Sequence, residues 1–210
     1  MYERSKDTRL LHRIRHHLRP DANQRANAAS RLALVKMLPI RSVGCEIGVW
    51  KGNFSALLLK RLRPTVLHLV DPWAFDPDLP RAWYGGAAAT SPTDMDDIYA
   101  AVCARFAKRA EHGGVRIHRS TSAVAAQQFR TAELDWVYID GDHRYEAVRD
   151  ELTHFQTIVR PGGYIAGDDY RPGEWYAGGV MRAVDEWAEA QSLTPAFFGS
   201  QFIVQLPPSA

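Results

Sequence analysis

From residue 42 onward, short apolar runs alternate with longer stretches whose apolar residues recur every three or four positions. This alternation predicts an α/β fold. Ser42 to Val49 reads as a strand, Asn53 to Arg63 as a helix and Val66 to Val70 as a second strand, which together make a βαβ unit. The strand runs lack an in–out alternation, as parallel strands buried on both faces should. The pattern continues with a helix at Thr93 to Glu111, a strand at Val115 to His118, a helix at Ser122 to Phe129 and a strand at Leu134 to Ile139. A helix at Tyr145 to Val159, a strand at Gly163 to Gly167 and a helix at Tyr176 to Gln191 follow. The end departs from this rhythm. Pro195 to Phe198 and Gln201 to Leu206 flank Gly199-Ser200, a turn signal that predicts an antiparallel hairpin. A mostly parallel, Rossmann-like sheet with helices on both faces is therefore expected, closed by a hairpin where a nucleotide-binding dehydrogenase would add further parallel units.

Two stretches stand outside the alternation. Ala22 to Leu38, rich in Ala, Leu and Arg, has helical spacing and stops before Pro39, so residues 1–38 read as a helical extension and 39–210 as the domain proper. Trp73 to Pro92 carries Pro77, Pro80, Gly85 and Gly86 with Trp73, Trp83 and Tyr84, and reads either as a lid over an acceptor or as a flap packed on the core.

Composition narrows the function classes. At 210 residues, with 46% apolar and 24% charged, the chain suits one packed domain and neither disorder nor a coiled coil. A net charge of +2 does not demand nucleic acid as a partner, although Arg4, Lys6, Arg9, Arg13, Arg15 and Arg19 concentrate positive charge near the start. His12 and His16 there, four apart, would share a face if helical but have no third metal ligand nearby. No secretory or membrane-spanning run is present, Glu3 and Asp7 argue against a transit peptide, and Cys45 and Cys103 read as packed thiols. A cytoplasmic enzyme is expected, and twofold association through the leader helices is an expectation from the prevalence of such dimers.

The candidate chemistry sits at predicted strand ends. Between the first strand and its helix lies Glu46-Ile47-Gly48-Val49-Trp50-Lys51-Gly52-Asn53-Phe54-Ser55, an E-x-G-x-x-x-G turn where an open α/β sheet binds ligands. Gly48 and Gly52 provide turn freedom. Asp71, ending the second strand, can accept from both hydroxyls of a ribose or can form the turn before Pro72. Ser120-Thr121-Ser122 falls where adenine would lie, one of the three serving also as a helix cap. Asp140 ends the fourth strand and Asp168-Asp169 the fifth. Three converging carboxylates need a cation or protons to coexist, and oxygen ligands suit magnesium, calcium or manganese.

In GCEIGVWKGNFS, HLVDPW, LDWVYIDGDHRYEAVRDEL and VRPGGYIAGDDY the chain resembles the seven-stranded class I S-adenosylmethionine methyltransferases, and among them the macrocin O-methyltransferase-like group. The resemblance covers about Val43 to Leu206. It implies that Glu46 and Gly48 contact the methionine part of S-adenosylmethionine, Ser55 its carboxylate region and Asp71 its ribose. Thr121 stands where related sequences often carry an acid for the adenine amino group. The spacing of Asp140, Asp168 and Asp169 is also similar to that of the metal-dependent catechol and caffeoyl-CoA O-methyltransferases, which implies a magnesium site. Where those enzymes carry a lysine as base, three residues beyond the first Asp, this chain has His143. An imidazole of pKa about 6.5 is mismatched with a phenol-like hydroxyl by about 5 kcal/mol and with a sugar-like alcohol by about 12 kcal/mol, so the latter needs Lewis-acid help. The expected function is metal-assisted O-methylation of a small molecule or glycan, with catalysis by His143 and Asp140. A metal-free N- or O-methyltransferase, and a non-catalytic module whose basic helix meets RNA or an acidic partner, are the alternatives.

Overall fold

The computed structural model describes residues 22–78, 89–173 and 176–209. The basic segment with His12 and His16, and the loop aromatics Trp83 and Tyr84, lie outside the described residues.

The elements are α1 (Ala22–Val35), β1 (Val43–Ile47), α2 (Asn53–Leu62), β2 (Val66–Asp71), α3 (Pro92–Glu111), β3 (Val115–Arg119) and α4 (Ser122–Ala126). They continue with β4 (Leu134–Ile139), α5 (Tyr145–Ile158), β5 (Val159–Gly167), α6 (Gly179–Ala190), β6 (Ala196–Phe198) and β7 (Gln201–Gln205). The seven strands form one sheet in the order β3-β2-β1-β4-β5-β7-β6. The first five are parallel, and β7 runs antiparallel to both β5 and β6, as the terminal turn signal predicts.

Boundaries shift where local chemistry intervenes. The α4 helix ends at Ala126, because Gln128 and Phe129 turn back onto the Ala125 and Ala126 carbonyls, which bends Phe129 against His68. Strand β5 begins at Val159, opposite Leu134, and its register slips before the Trp136–Tyr164 pair, over the segment containing Pro161 and Gly162. The α6 helix starts at Gly179 rather than Tyr176.

Period-two alternation along β4 sends Trp136 and Tyr138 to one face and Val137 and Ile139 to the other. The first face packs with Leu34 of α1, Leu58 of α2 and Phe106 of α3, and the second with Leu152 and Phe155 of α5 and Val184 of α6. The buried Trp136 indole donates from Nε1 to Ser42 Oγ at 2.9 Å, which satisfies its one polar group.

The leader helix is part of this packing. α1 buries Leu34 and Val35 and lies against α2, β6 and β7. The hairpin passes under it at Gly199, whose φ is 61° and where a Cβ would meet Ser30 Oγ at 2.5 Å. A side chain there would both strain the turn and push α1 away. Cys45 is buried in β1, and Cys103 on α3 is half-buried; both are free thiols.

Candidate functional site

Strand order reverses between β1 and β4, and the crevice beyond their carboxyl ends is where such sheets bind ligands. Ile47 and Ile139 are paired there, and Asp140 N donates to Ile47 O at 2.8 Å. Gly48, with φ 85°, crosses so close to the next strand that a Cβ would lie 1.9 Å from the Asp140 carbonyl oxygen. The glycine is thus required by neighbouring backbone, which joins the two halves of the site.

On the β1–β2–β3 side, Glu46 is buried at the end of β1, and burial pushes its carboxyl up to about 8, against lowering by nearby Ser55. Glu46 Oε2, Ser55 Oγ and Ser120 Oγ are buried polar atoms without a hydrogen-bond partner among the described residues, so the Glu46–Ser55 approach is a proximity rather than a completed bond. Such atoms are rare in folded chains and are ordinarily completed by bound water or a ligand. Gly52 precedes α2 with φ 70°, leaving the helix without a side-chain cap. Thr121 caps α4, accepting from Val124 N, so it is the member of its cluster that also serves as helix cap.

Asp71 is also buried, and burial pushes its carboxyl up to about 7 against the pull of three backbone hydrogen bonds. Its Oδ2 accepts from Val49 N at 3.0 Å and Trp50 N at 2.9 Å, and its Oδ1 from Trp73 N at 2.7 Å. Trp50 and Trp73 have φ of 53° and 40°, a costly region for bulky residues. The acid therefore holds the glycine turn and the β2 exit in strained conformations. Trp73 is 1% exposed and donates from Nε1 to Trp50 O at 2.9 Å. Of the two readings of the aromatic loop, Trp73 follows the packed one.

On the β4–β5 side the acids are densely partnered. Asp168 Oδ1 accepts from Asp169 N at 2.7 Å, from Ser200 Oγ at 2.8 Å and from Gln201 Nε2, while Gln201 Oε1 accepts from the buried Tyr138 hydroxyl. Asp168 Oδ2 accepts from Arg31 Nε at 2.8 Å and from Arg31 Nη2, which also donates to Asp140 Oδ2 at 3.0 Å. Burial works against the Arg31 charge, but Asp140, Tyr138 and Asp168 raise its pKa and hold it ionised. Asp140 is pushed up to about 6, chiefly by burial. Asp142 turns away from this cluster and accepts from Arg144 N at 3.0 Å, a local loop contact.

His143 lies between two acids, with Nε2 3.6 Å from Asp140 Oδ1 and Nδ1 3.4 Å from Asp169 Oδ2. Burial lowers its pKa, and the carboxylates of Asp140, Asp169 and Asp168 more than reverse that, so the imidazole titrates above its ordinary value. Tyr176 stands edge-on to the ring at 5.2 Å. Ligand atoms of Asp140, His143 and Asp169 lie within 4.8 Å of one another, the one group of metal-ligand type among the described residues. Asp168, expected in the metal set, is replaced by His143 in that group. A set with an imidazole suits manganese, iron or zinc better than magnesium, which prefers oxygen.

The residues that sequence reasoning missed are Arg31, Ser200 and Gln201. Arg31 is one of two arginines on an Ala-rich helix, and Ser200 reads as turn former only. Their roles arise from contacts across the fold.

A model of the family described as methyltransferase domain matches residues 45–170. A segment of 53 residues, 25% of this chain, is 40% identical to uncharacterized protein R132 of Acanthamoeba polyphaga mimivirus and covers only 24% of that protein's length. The fold is similar to that of the O-methyltransferase TomG of Streptomyces achromogenes, solved with S-adenosylmethionine (TM-score 0.56, 17% identity, 91% of this chain and 82% of that one). It is also similar to the N-methyltransferase NodS of Bradyrhizobium japonicum (TM-score 0.56, 17% identity, 87% and 96%).

Proposed function

The chain belongs to the methyltransferase-domain family, and from that premise we propose that it methylates a hydroxyl of a small molecule or glycan with S-adenosylmethionine, as a relative of the macrocin O-methyltransferase-like group. The carrying observation is the set of buried, unpartnered polar atoms Glu46 Oε2, Ser55 Oγ and Ser120 Oγ, which come from three elements meeting at the crevice. A zwitterionic amino acid joined to a nucleoside offers the donors and acceptors they lack. In this reading Glu46 and Gly48 hold the methionine part, Ser55 its carboxylate region, Ser120 and Thr121 the adenine side and Asp71 the ribose. The glycine turn closed by Gly52 and held by Asp71 gives these groups one geometry.

S-adenosylmethionine supplies a methyl on a sulfonium, already a strong electrophile, so the protein's work is orientation and proton removal. When bound, the cofactor would supply its methyl to the acceptor oxygen with the sulfur–carbon pair left on sulfur, and His143 would take the hydroxyl proton. Asp140 and Asp169 flank the imidazole and favour its protonated form. Proton acceptance at His143 is the general-base step.

A second reading, metal assistance, is favoured by one observation: the mutual reach of Asp140, His143 and Asp169. There His143 would be a ligand and not a base. Magnesium on Asp140, Asp168 and Asp169 has less support, since both oxygens of Asp168 are engaged by protein donors. We retain residues 1–38 as extension and 39–210 as the catalytic domain. Calorimetric titration with S-adenosylmethionine, followed by transfer of isotopically labelled methyl to a panel of hydroxyl and amine acceptors, tests the proposal. Saturable binding and label on oxygen support it. No binding at millimolar cofactor, or label on nitrogen alone, overturns it.

A further inference from the structure

The acids at the ends of β4 and β5 already face a cation, and the chain itself supplies it. Arg31 is 109 residues before Asp140 and 137 before Asp168, yet its guanidinium spans both carboxylates. The guanidinium carbon also lies 5.3 Å from the centroid of the Phe54 ring, so one of its faces rests on an aromatic. This is no surface ion pair. The Asp168 side chain is 1% exposed and that of Arg31 30%.

We propose that Arg31 is the resident counter-charge of the active site, a positioning residue that holds Asp140 and Asp168 in one geometry without a divalent ion. Docking of α1 thereby becomes a condition for activity. The proposal rests on the methyl-transfer reading above and deepens it by giving the site a metal-independent form. Three observations carry it. First, Asp168 has no oxygen to offer, because Oδ1 takes three protein donors and Oδ2 takes two from Arg31. Second, Arg31 occupies Asp140 Oδ2, and its charge repels a divalent ion approaching the same carboxylate, which weakens metal binding there. Third, Arg31 is held from behind by packed structure: Leu34 and Val35 are buried and Ser30 lies against Gly199. Withdrawing Arg31 means undocking the helix and leaving the buried Asp168 and the half-buried Asp140 without the guanidinium that bridges them, a costly state. The fork geometry and permanent charge of arginine suit this task where a lysine would make a single contact.

The test uses the full chain with Mn2+ as probe, read by electron paramagnetic resonance, beside turnover and melting temperature. For wild type we expect no Asp140-dependent Mn2+ binding and no loss of turnover under a chelator. Arg31→Met should lower turnover about a hundredfold through misplacement of the acids. It should gain a Mn2+ site that disappears in Arg31→Met/Asp140→Asn, and should recover turnover when guanidinium ion is added. A merely structural arginine would produce neither the new metal site nor the rescue. If Arg31→Met does not fold, Arg31→Lys decides: it should still exclude Mn2+ and keep reduced turnover. The proposal is overturned if wild type binds Mn2+ through Asp140 and loses turnover on chelation. Wild-type turnover of Arg31→Met without added cation, or tight Mn2+ binding by Arg31→Lys, overturns it equally. Failure of wild type to bind S-adenosylmethionine would instead sink the methyl-transfer reading, while the Mn2+ comparison would still judge Arg31.

Discussion

The two sides of the crevice are built on opposite terms. Beyond β1, β2 and β3, buried polar atoms of Glu46, Ser55 and Ser120 have no partner among the described residues. Beyond β4 and β5, Asp168 is saturated by Arg31, Ser200, Gln201 and the Asp169 amide. On the first side these polar atoms remain open to a bound group, whereas on the second Asp168 is completed by the chain. The lesson is that a row of acids at strand ends is not in itself a metal site: what matters is which lone pairs the fold has already used.

The strongest way to break this comparison is through His143, the base proposed above on the self-completed side. We predict that His143→Ala lowers turnover by about a hundredfold to ten-thousandfold, about 2.7 to 5.5 kcal/mol, with cofactor affinity unchanged. Wild-type activity should rise with pH through a limb above imidazole's usual value of about 6.5, because Asp140 and Asp169 outweigh burial. Asp169→Asn should move that limb down; a near-wild-type rate or an unmoved profile removes the base assignment.

Next in size is the stability held by the saturated acid. Asp168→Ala should cost about 3 to 5 kcal/mol in urea unfolding, since it strands Arg31 and three other donors. A loss below about 1 kcal/mol would mean that the network contributes little.

Much of this fold was legible in the chain, and part of the site was too. Strand and helix periods predicted the sheet, and Gly199-Ser200 predicted the hairpin, because those signals are local. Glu46, Asp71, Asp140 and Asp168 were readable as strand-end acids for the same reason. What each acid binds was not readable. Asp71 serves loop amides at Val49, Trp50 and Trp73, and Arg31 reaches across more than half of the sequence; neither contact has a periodicity to betray it.

The open side yields smaller effects. Asp71→Ala should weaken S-adenosylmethionine binding by about 1.5 to 3 kcal/mol in calorimetry. Because Asp71 also holds three amides, the melting temperature should fall as well. If stability falls while affinity stays, the acid serves the loop and not the ribose. Smallest is a proton count. Glu46 has a folded-state pKa raised by burial to about 8 from about 4.5, so its contribution to stability is full below about 4.5 and is lost as pH rises through about 8. A bound cofactor ammonium should pull that pKa down. Binding at pH 7 should then release about one proton, seen as a heat that depends on the buffer's ionisation enthalpy. Glu46→Gln should abolish the dependence, and a buffer-independent wild-type heat would place the ammonium elsewhere.

The placement of β7 between β5 and β6 has a consequence for synthesis on the ribosome. Strand β5 is made well before β7, and until β7 arrives it has parallel pairing with β4 on one side and a bare row of amides and carbonyls on the other. A nascent chain paused before Gln201 would expose that edge, together with an Asp168 still lacking its Ser200 and Gln201 donors. Such an edge invites pairing with other chains. Strand β1 waits only for β4, which is made before β5, so during elongation the β1–β2–β3 end of the crevice can be shaped while the Asp168 corner is still unprotected, and this interval is when a chaperone would matter most.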